Sequence, residues 1–356
     1  MSDKHTILIL GASYGSLFGT KLALAGHDVT LICLPAEAEL INAEGAIVRM
    51  PVRGRDGQVE VNSRTLPGRL SAAGPEAVNL ADYDLVGLAM QEPQYRSDGV
   101  RQLLAEIARS GLPCISTMNM PPLPYLSRIP GVDAEACRGA YTDPTVWDGF
   151  DPALVTLCSP DPQAFRPPDE PVNVLQVRLP TNFKSARFAS EEHTALLRGL
   201  QADIEAARYD DGSGPIELPV KLKVHESLFV PLAKWAMLLA GNYRCVQAAE
   251  MRSIRDAVHA DLEETRGVYD WVVELCISLG ADAGDMVPFE KYAAAAESLI
   301  SPSSAARALA AGAPNIERVD RLVQTIAAAH GRRSDAVDAS VALVDGWLER
   351  NRAKAE

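Results

Sequence analysis

The stretch that decides the fold is residues 6–33, which read TILILGASYGSLFGTKLALAGHDVTLIC. The apolar run Thr6–Leu10 predicts a buried strand, Leu17–Ala25 predicts an amphipathic helix that Gly26 ends, and Asp28–Cys33 predicts a second strand. Strand, glycine turn, helix and strand in this order form one βαβ unit of a parallel sheet. The turn between strand and helix is where such a unit can bind a dinucleotide pyrophosphate, against backbone N–H groups and the positive end of the helix.

The turn itself, Gly11-Ala12-Ser13-Tyr14-Gly15-Ser16, departs from the dinucleotide fingerprint Gly-x-Gly-x-x-Gly. Ser13 occupies the second glycine position, where the backbone approaches the ligand, and Gly15 or Ser16 lies near the third. The same letters spell Gly-x-Ser-x-Gly, the nucleophile elbow of serine hydrolases, but that elbow normally follows several strands of an established sheet. We therefore interpret the turn as a dinucleotide site, with a hydrolase elbow and a non-binding structural turn as the alternatives.

Composition limits the class of protein and its partners. The chain has 356 residues, of which 47% are hydrophobic and 23% charged, and a formal net charge of −13. It is long enough for two domains, and its acidity speaks against nucleic acid or an anionic membrane as a partner. The six cysteines and six histidines are scattered, so we expect neither a disulfide framework nor a metal site. Met1-Ser2-Asp3-Lys4-His5 leads directly into the first strand, and no long apolar segment occurs, so we expect no signal peptide, no membrane span and a cytoplasmic location.

Alternating strand and helix patterns continue to about residue 190 and predict a doubly wound sheet. The predicted strands are 46–52, 58–61, 85–90, 113–117, 153–158 and 172–177, and the predicted helices are 37–43 and 97–110. Gln91 and Asn119 follow two of these strands, at the carboxyl ends where open α/β sheets bind their ligands. After the second strand there is neither an acid for the ribose of NAD nor a base for the 2′-phosphate of NADP, so Arg49, Arg53 and Arg55 are the candidates for that phosphate.

From Glu191 onward helical periodicity replaces the strand signals. The predicted helices are 191–208, 226–250, 252–279, 288–300, 302–312, 315–330 and 334–352. We therefore predict a dinucleotide-binding domain at 1–190 and an all-helical domain at 191–356, with a cleft between them. The long helices of the second domain could form a homodimer, although the sequence assigns no patch to it.

A lysine in an apolar helix is the most informative feature of the second domain. The stretch Phe229–Asn242 is apolar nearly all round, yet it contains Lys234 and ends at Asn242. At 100° per residue these two side chains lie within roughly 80° of each other and can face one cavity. A buried ammonium is costly, so Lys234 either reaches solvent with its long stem or faces a polar cleft. In a cleft beside a nicotinamide it could protonate a carbonyl oxygen as hydride arrives.

Several of these features together resemble the ketopantoate reductase family. The likeness begins at the N-terminal stretch and continues at Asn42–Val48 and at Asp84–Val86 with Gln94 beyond it. That family has a catalytic lysine followed by asparagines four and eight residues later. Lys234 and Asn242 match this pattern, and Leu238 occupies the position of the first asparagine.

The family also has an asparagine after the strand that follows the crossover helix, a Ser-Ser pair, and a glutamate about a dozen residues after the pair. Asn119, Ser303-Ser304 and Glu317 resemble these. Gln91 stands where family members usually have a lysine, so the chain resembles a diverged member that could act on another 2-oxo acid.

The resemblance implies a Rossmann-type domain followed by a helical domain of the 6-phosphogluconate dehydrogenase type, and an NADPH-dependent reduction of a 2-oxo acid, ketopantoate or a close analogue, as in pantothenate biosynthesis. NAD stays open as the coenzyme. It implies that Lys234 is the general acid and that Glu317 accepts a hydrogen bond from a substrate hydroxyl. The implied substrate residues are Asn119, Asn242 and Ser304, and the implied coenzyme residues are Gly11, Ala12, Ser13, Tyr14, Gly15, Gln91 and Asn119.

Two alternatives to a ketopantoate reductase stay open. One is an opine-type dehydrogenase that reduces an imine, with Arg244, Arg307 and Arg318 as candidate carboxylate ligands. The other is a non-catalytic NAD(P) sensor, which the altered glycine turn would suit. The expected partner is a small 2-oxo acid, and an opine-type enzyme would need an amino acid as well.

Overall fold

The computed structural model describes residues 3–355 and divides into two compact units. The first, here called the sheet unit, contains the described chain up to Met90 together with Gln94–Tyr125 and Val146–Glu226. The second, here called the helical unit, contains Gln91–Pro93, Leu126–Thr145 and the described chain from Ser227 onward. Each unit is therefore built from separate segments of the sequence.

The elements up to residue 226 are mostly short strands with a helix after many of them. In chain order they are β1 (Thr6–Leu10), α1 (Tyr14–Leu24), β2 (Asp28–Ile32), α2 (Pro35–Glu44), β3 (Ile47–Pro51), β4 (Gln58–Asn62), β5 (Leu70–Ala73), β6 (Leu85–Leu88), α3 (Asp98–Ser110), β7 (Cys114–Thr117), α4 (Leu123–Leu126), β8 (Val155–Ser159), β9 (Gln163–Phe165), β10 (Val174–Leu179), β11 (Phe183–Ala186), α5 (Glu191–Ala206), β12 (Tyr209–Asp210), β13 (Pro215–Ile216) and β14 (Leu222–His225).

The main sheet contains eight of the described strands, in the order β14-β11-β8-β7-β6-β1-β2-β5. Neighbouring strands are parallel except for β8 and β11, which are antiparallel. β1 lies between β2 and β6, so the strand order reverses there, and ligands of open α/β sheets bind outside the carboxyl ends of the strands at such a point. Ile7, Leu8, Ile9 and Leu10 are fully buried, as a parallel strand covered on both faces requires.

Helix α1 is buried along nearly its whole length, so the predicted amphipathic character is wrong. Its residues from Gly15 to Leu24 are all buried, including the charged Lys21. The ammonium of Lys21 donates to the carbonyl oxygens of Leu218 and Pro219, which shows that the segment before β14 packs over the outer face of α1.

The structure adds two smaller sheets to the main one, and it contains strands that the sequence did not indicate: β5, β9, β11, β12, β13 and β14. β4, β3, β10 and β9 form a separate sheet, in which β3 and β10 are parallel and the other pairs are antiparallel. β14 pairs with β11 in the main sheet, and its Val224 N–H donates to Gln201 of α5 at 2.7 Å. The expectation that strands vanish after Glu191 is therefore wrong for residues 191–226, which belong to the sheet unit.

The helical unit contains α6 (Lys234–Met237), α7 (Ile254–His259), α8 (Leu262–Ser278), α9 (Phe289–Ala296), α10 (Ser304–Ala310), α11 (Val319–Ala329) and α12 (Asp335–Ala355). The predicted helix 252–279 is two helices, because Asp261 interrupts it and caps α8 by accepting from the Glu264 N–H. The fold class, a mostly parallel sheet followed by a helical C-terminal region, is confirmed. No helix within residues 3–355 is long and apolar enough to span a membrane.

The predicted helix 226–250 is also wrong as a continuous element. Residues Val230–Ala233 form a 3₁₀ turn, α6 is one α-helical turn, Leu238–Asn242 form a π turn, and Tyr243–Cys245 form another 3₁₀ turn. The chain therefore changes its helical pitch three times within the stretch that carries the predicted catalytic lysine.

Candidate functional site

The glycine turn after β1 has the backbone geometry of a dinucleotide site. Gly11 has a φ of +103°, and a Cβ there would lie 2.7 Å from the carbonyl oxygen of Ala89. Its N–H donates to the carbonyl oxygen of Ile32 at the end of β2. Only glycine can adopt this conformation with so little space, so Gly11 fills the first position of the fingerprint.

The structure decides which residue takes the third glycine position. A Cβ on Gly15 would lie 2.9 Å from Cγ2 of Ile9 in β1, so Gly15 allows α1 to pack closely on the strand. In the fingerprint, the third glycine allows the helix to pack closely on the strand. Gly15, and not Ser16, therefore fills that position.

The start of α1 leaves backbone N–H groups that no side chain of the turn caps. Ser13 precedes α1, and its side chain makes no capping hydrogen bond to the described helix. The Ser16 hydroxyl instead donates back to the carbonyl oxygen of Ala12. Uncapped N–H groups at a helix N-terminus attract a phosphate, so the geometry of Ala12, Ser13 and Tyr14 is compatible with a pyrophosphate at this end of α1.

A segment around β9 contacts this turn and the helix after β2. The Tyr14 hydroxyl donates to the carbonyl oxygen of Pro162 at 3.0 Å. Arg166 forms an ion pair with Glu37 in the first turn of α2. The sequence did not indicate this pair, because its partners are 129 residues apart. It brings one positive and one negative side chain close to the end of β2.

The arginines predicted to meet a 2′-phosphate are engaged elsewhere in the sheet unit. Arg49 is paired with Glu60 and Glu170 at 2.8 and 2.7 Å, and Arg55 is paired with Asp211 at 2.7 Å. Arg53 is exposed. Arg166 is also paired with an acid, but its partner Glu37 lies in the first turn of α2, so Arg166 is the arginine that contacts the helix after β2.

The residues that follow β6 and β7 differ in burial. Asn119 is half-buried two residues after β7 in the sheet unit, and Gln91 is exposed three residues after β6. Next to Gln91, Glu92 is 2% exposed and accepts from the N–H and the hydroxyl of Thr142, both in the helical unit. Burial raises the pKa of Glu92, while the hydrogen bonds from Thr142 act in the opposite direction. Sequence reasoning missed Glu92, since a lone glutamate after a strand gives no pattern.

The π turn aligns the two polar residues of the apolar stretch. Its i→i+5 bond runs from the N–H of Tyr243 to the carbonyl oxygen of Leu238. A π turn accommodates one extra residue, so the path from Lys234 to Asn242 advances as about seven α-helical steps, or about 700°. On this ideal pitch the two side chains are about 20° apart around the axis, which is closer than the roughly 80° of an uninterrupted α-helix. Lys234 and Asn242, both half-buried, lie on one face.

Two hydroxyl groups fix the end of the π turn to the rest of the helical unit. Tyr243 donates to the carbonyl oxygen of Glu317 at 2.6 Å and accepts from the Val319 N–H at 3.0 Å. Ser303 donates to the carbonyl oxygen of Asn242 at 2.7 Å. Burial holds the pKa of Tyr243 well above its ordinary value, so the hydroxyl keeps its proton.

Hydrogen bonds to backbone and side-chain atoms connect the predicted polar residues of the helical unit to neighbouring segments. The carboxylate of Glu317 accepts from the N–H of Glu92 at 3.3 Å, which ties it to the segment after β6. Ser304 is exposed at the start of α10, whereas its neighbour Ser303 is buried and holds the π turn. The structure thus ties the Glu317 segment and Ser303 to the end of the π turn that carries Asn242, and Ser303, not Ser304, is the serine that contacts this turn.

The arginines of the opine alternative have other partners. Arg318 is paired with Asp320 and Asp345, and Arg244 is paired with Glu264 and bonded to Thr265. Arg307 donates to the carbonyl oxygen of Pro302. Arg244 is buried. Among the residues that the structure describes, no cluster of His, Cys, Asp and Glu has the arrangement of a metal site.

Comparison with known proteins assigns the fold. Neither protein-family models nor the sequences of curated proteins match the chain. A ketopantoate reductase from Ralstonia eutropha JMP134 superimposes with a TM-score of 0.64 at 17% identity, over 98% of this chain and 99% of that one. The 2-dehydropantoate 2-reductase from Methylococcus capsulatus gives 0.63 at 14% identity, over 97% of each chain. D-mandelate dehydrogenase, solved with NADH and anilino(oxo)acetate, gives 0.62 at 14% identity, over 98% of this chain and 99% of that one.

These relatives share a class of architecture, a dinucleotide-type sheet followed by a helical region. Within that class, the chain has the fold of the ketopantoate reductases over nearly its whole length. The resemblance seen in the sequence is confirmed at the level of the fold.

Proposed function

We propose that the chain is an NAD(P)-dependent reductase of a 2-oxo acid. In this proposal the nucleotide binds to the predicted domain 1–190 and the predicted domain 191–356 carries the catalytic and substrate residues. The observation that carries the proposal is the π turn between Lys234 and Asn242. Its pitch supports a site in which an ammonium and an amide share one face of an otherwise apolar segment. The glycine turn of Gly11 and the shared fold support the coenzyme half of the proposal.

Lys234 is the general acid in this mechanism. When bound, the nicotinamide supplies a hydride for the 2-oxo carbon. The ammonium of Lys234 donates a hydrogen bond to the carbonyl oxygen and transfers its proton there as negative charge develops. The Asn242 amide, held at its backbone by Ser303, orients the substrate. We propose that the carboxylate of Glu317 accepts a hydrogen bond from a substrate hydroxyl. It would repel the carboxylate of the substrate, so it does not bind that group.

The remaining assignments follow the predicted site. Asn119 contacts substrate and coenzyme from the end of β7, and the exposed Ser304 binds the substrate carboxylate. Ala12, Ser13, Tyr14 and Gly15 line the pyrophosphate together with Gly11, and Gln91 lies at the nicotinamide end. The proposed location is the cytoplasm, the proposed small-molecule partner is a 2-oxo acid, and a homodimer is the candidate assembly.

For the coenzyme we propose NADPH. The ribose of a dinucleotide lies at the end of the second strand of such a sheet, and α2 begins there with Glu37 paired to Arg166. A 2′-phosphate can replace the Glu37 carboxylate on the guanidinium of Arg166, because phosphate forms the same bidentate, charge-assisted hydrogen bonds. NADH lacks the 2′-phosphate, so the ion pair between Arg166 and Glu37 would stay intact when NADH binds.

A second candidate substrate class is a 2-oxo acid with an apolar side chain. Leu238 is 4% exposed and stands one turn after Lys234, where the resemblance expects an asparagine. A leucine makes no hydrogen bond to a substrate hydroxyl, and sites that bind a hydroxyl discriminate strongly through such bonds. D-mandelate dehydrogenase, which shares the fold, was solved with anilino(oxo)acetate, an aryl 2-oxo acid derivative.

The test is a fluorescence titration with NADPH and with NADH, followed by addition of a 2-oxo acid. Oxidation of NADPH by ketopantoate supports the first substrate, and oxidation by a phenyl-substituted 2-oxo acid alone supports the second. A requirement for an added amino acid would favour the opine-type enzyme. Nucleotide binding with no oxidation would favour the sensor, and binding of neither nucleotide would overturn the proposal.

A further inference from the structure

A buried tyrosine of α9 contacts the π turn directly. The hydroxyl of Tyr292 donates to the carbonyl oxygen of Met237, the last residue of α6, at 3.1 Å. Tyr292 is 6% exposed, and its ring stacks on Tyr269 of α8 with centroids 5.4 Å apart. Its phenol is therefore fixed by packing and points at the residue where the helix changes pitch.

A glycine in the π turn makes room for this hydroxyl. A Cβ on Gly241 would lie 2.0 Å from Oη of Tyr292 and 3.2 Å from Cγ2 of Val258. Glycine inside a helix costs roughly 1 kcal/mol relative to alanine, so its presence in a buried turn points to a packing requirement. Gly241 and Tyr292 fit each other, and any larger residue at 241 would push the phenol away.

The carbonyl that receives the hydroxyl is the one that a π turn changes. In an α-helix the oxygen of Met237 would accept from the N–H of residue 241, four residues later. In a π turn the donor is one residue further along. The Tyr292 hydroxyl gives this oxygen a second donor in a buried place, which offsets the less favourable geometry of the π turn.

We propose that Tyr292 and Gly241 are positioning residues that hold Leu238–Asn242 in the π turn and so align Asn242 with Lys234. The inference rests on the proposed function, since it assigns these residues to the geometry of the same site. In an α-helical form of the segment Asn242 would rotate by about 100° relative to Lys234, which moves its Cα by about 3.5 Å on a cylinder of about 2.3 Å radius. Misplacement of a substrate-orienting group by about 1 Å can lower a rate about 100-fold.

Tyr269→Phe is a matched control for Tyr292→Phe. Both tyrosines are buried, they stack on each other, and Tyr269 donates to the carbonyl oxygen of Val287 at 2.6 Å. Each variant loses one buried hydroxyl hydrogen bond to a main-chain carbonyl, so the two should lose similar stability. Of the two hydroxyls, that of Tyr292 donates to the residue before the π turn, and that of Tyr269 donates away from it.

The first measurement is kcat with saturating NADPH and 2-oxo acid. We expect Tyr292→Phe to lower kcat about tenfold with an unchanged Kd for NADPH, and Tyr269→Phe to keep kcat within about twofold at a similar loss of Tm. Gly241→Ala should lower kcat further, and adding Tyr292→Phe to it should recover part of that loss because the clashing oxygen is gone. Equal kcat in the two tyrosine variants, or no recovery in the double variant, would overturn the proposal.

The second measurement does not depend on turnover and separates this inference from the proposed function. A wild-type protein that oxidises no coenzyme with any 2-oxo acid would defeat the proposed function alone. The crystal structures of the wild type and of Tyr292→Phe then decide the positioning role. We expect residues 238–242 of the variant to relax toward an α-helix with Asn242 turned away from Lys234, and an unchanged π turn in the variant would refute the role.

Discussion

Lys21 makes the stability of the sheet unit depend on pH. It lies in α1, is 1% exposed, and its ammonium donates to the carbonyl oxygens of Leu218 and Pro219 at 3.2 and 3.0 Å. Burial, together with the nearby charge of Lys221, lowers the pKa of Lys21 from 10.5 to about 7, against the opposing effect of Glu217. The folded protein therefore releases a proton that the unfolded chain keeps until much higher pH.

The sign of the effect follows from that order of pKa values. Below about pH 7 both states carry the proton, and the whole cost of burying the charge is present. Between pH 7 and about 10.5 the unfolded state binds more protons, so the free energy of unfolding rises with pH. At about 1.4 kcal/mol per pKa unit, the gain between pH 6 and pH 9 from this one group is roughly 3 kcal/mol.

The assay is denaturant unfolding at pH 6 and pH 9 of the wild type and of Lys21→Met, which keeps the apolar stem and removes the charge. We expect the difference in free energy of unfolding between the two pH values to shrink by roughly 3 kcal/mol in Lys21→Met. Lys4→Met is the control, because Lys4 is exposed and paired with Asp28 at the surface. If Lys21→Met and the wild type gain equally between pH 6 and pH 9, the reasoning about the buried ammonium is refuted.

Three further predictions concern the site. Lys234→Ala should lower kcat by at least about 100-fold, since general acid catalysis contributes about that much, and should leave NADPH binding nearly unchanged. Turnover at the wild-type rate would refute the assignment of Lys234 as the general acid. Arg166→Ala should raise the Kd for NADPH about tenfold or more and leave that for NADH within about twofold, and an equal effect on both would remove Arg166 from the 2′-phosphate. Tyr243→Phe should lower the free energy of unfolding by about 1–3 kcal/mol, because the buried Val319 N–H loses its acceptor. An unchanged Tm in calorimetry would contradict this prediction.

The part of the fold that the sequence predicted is the part with local patterns. The apolar runs of β1 and β2 and the glycines between them specify a βαβ unit within residues 6–33, and the structure confirms it. The pairing of β3 with β10 joins Ile47 to Val174, and no local pattern encodes a partner so far along the chain. β14 is only four residues long and reads Leu-Lys-Val-His, so its strand signal is too weak to separate from the helices around it.

For the candidate site, too, the sequence predicted what depends on local patterns and missed what depends on distant contacts. Lys234 and Asn242 were found because polar residues in an apolar run are unusual. Their predicted separation of roughly 80° assumed α-helical pitch throughout, and the π turn reduces it to about 20°. The sequence did not show that Tyr243 and Ser303 hold the π turn in place. Each does so through a hydrogen bond to a main-chain atom more than 60 residues away.

One local signal for the π turn was nevertheless present in the sequence. Gly241 interrupts a buried, otherwise helix-forming run next to Asn242, and such a glycine weakens a helix unless another group occupies the space of its missing side chain. That group is the Tyr292 hydroxyl, which reaches the Met237 carbonyl through the gap. A spacing of eight residues places a lysine and an asparagine roughly 80° apart on an α-helix and about 20° apart across one π turn. The glycine before the asparagine therefore carries as much information about this site as the lysine and the asparagine themselves.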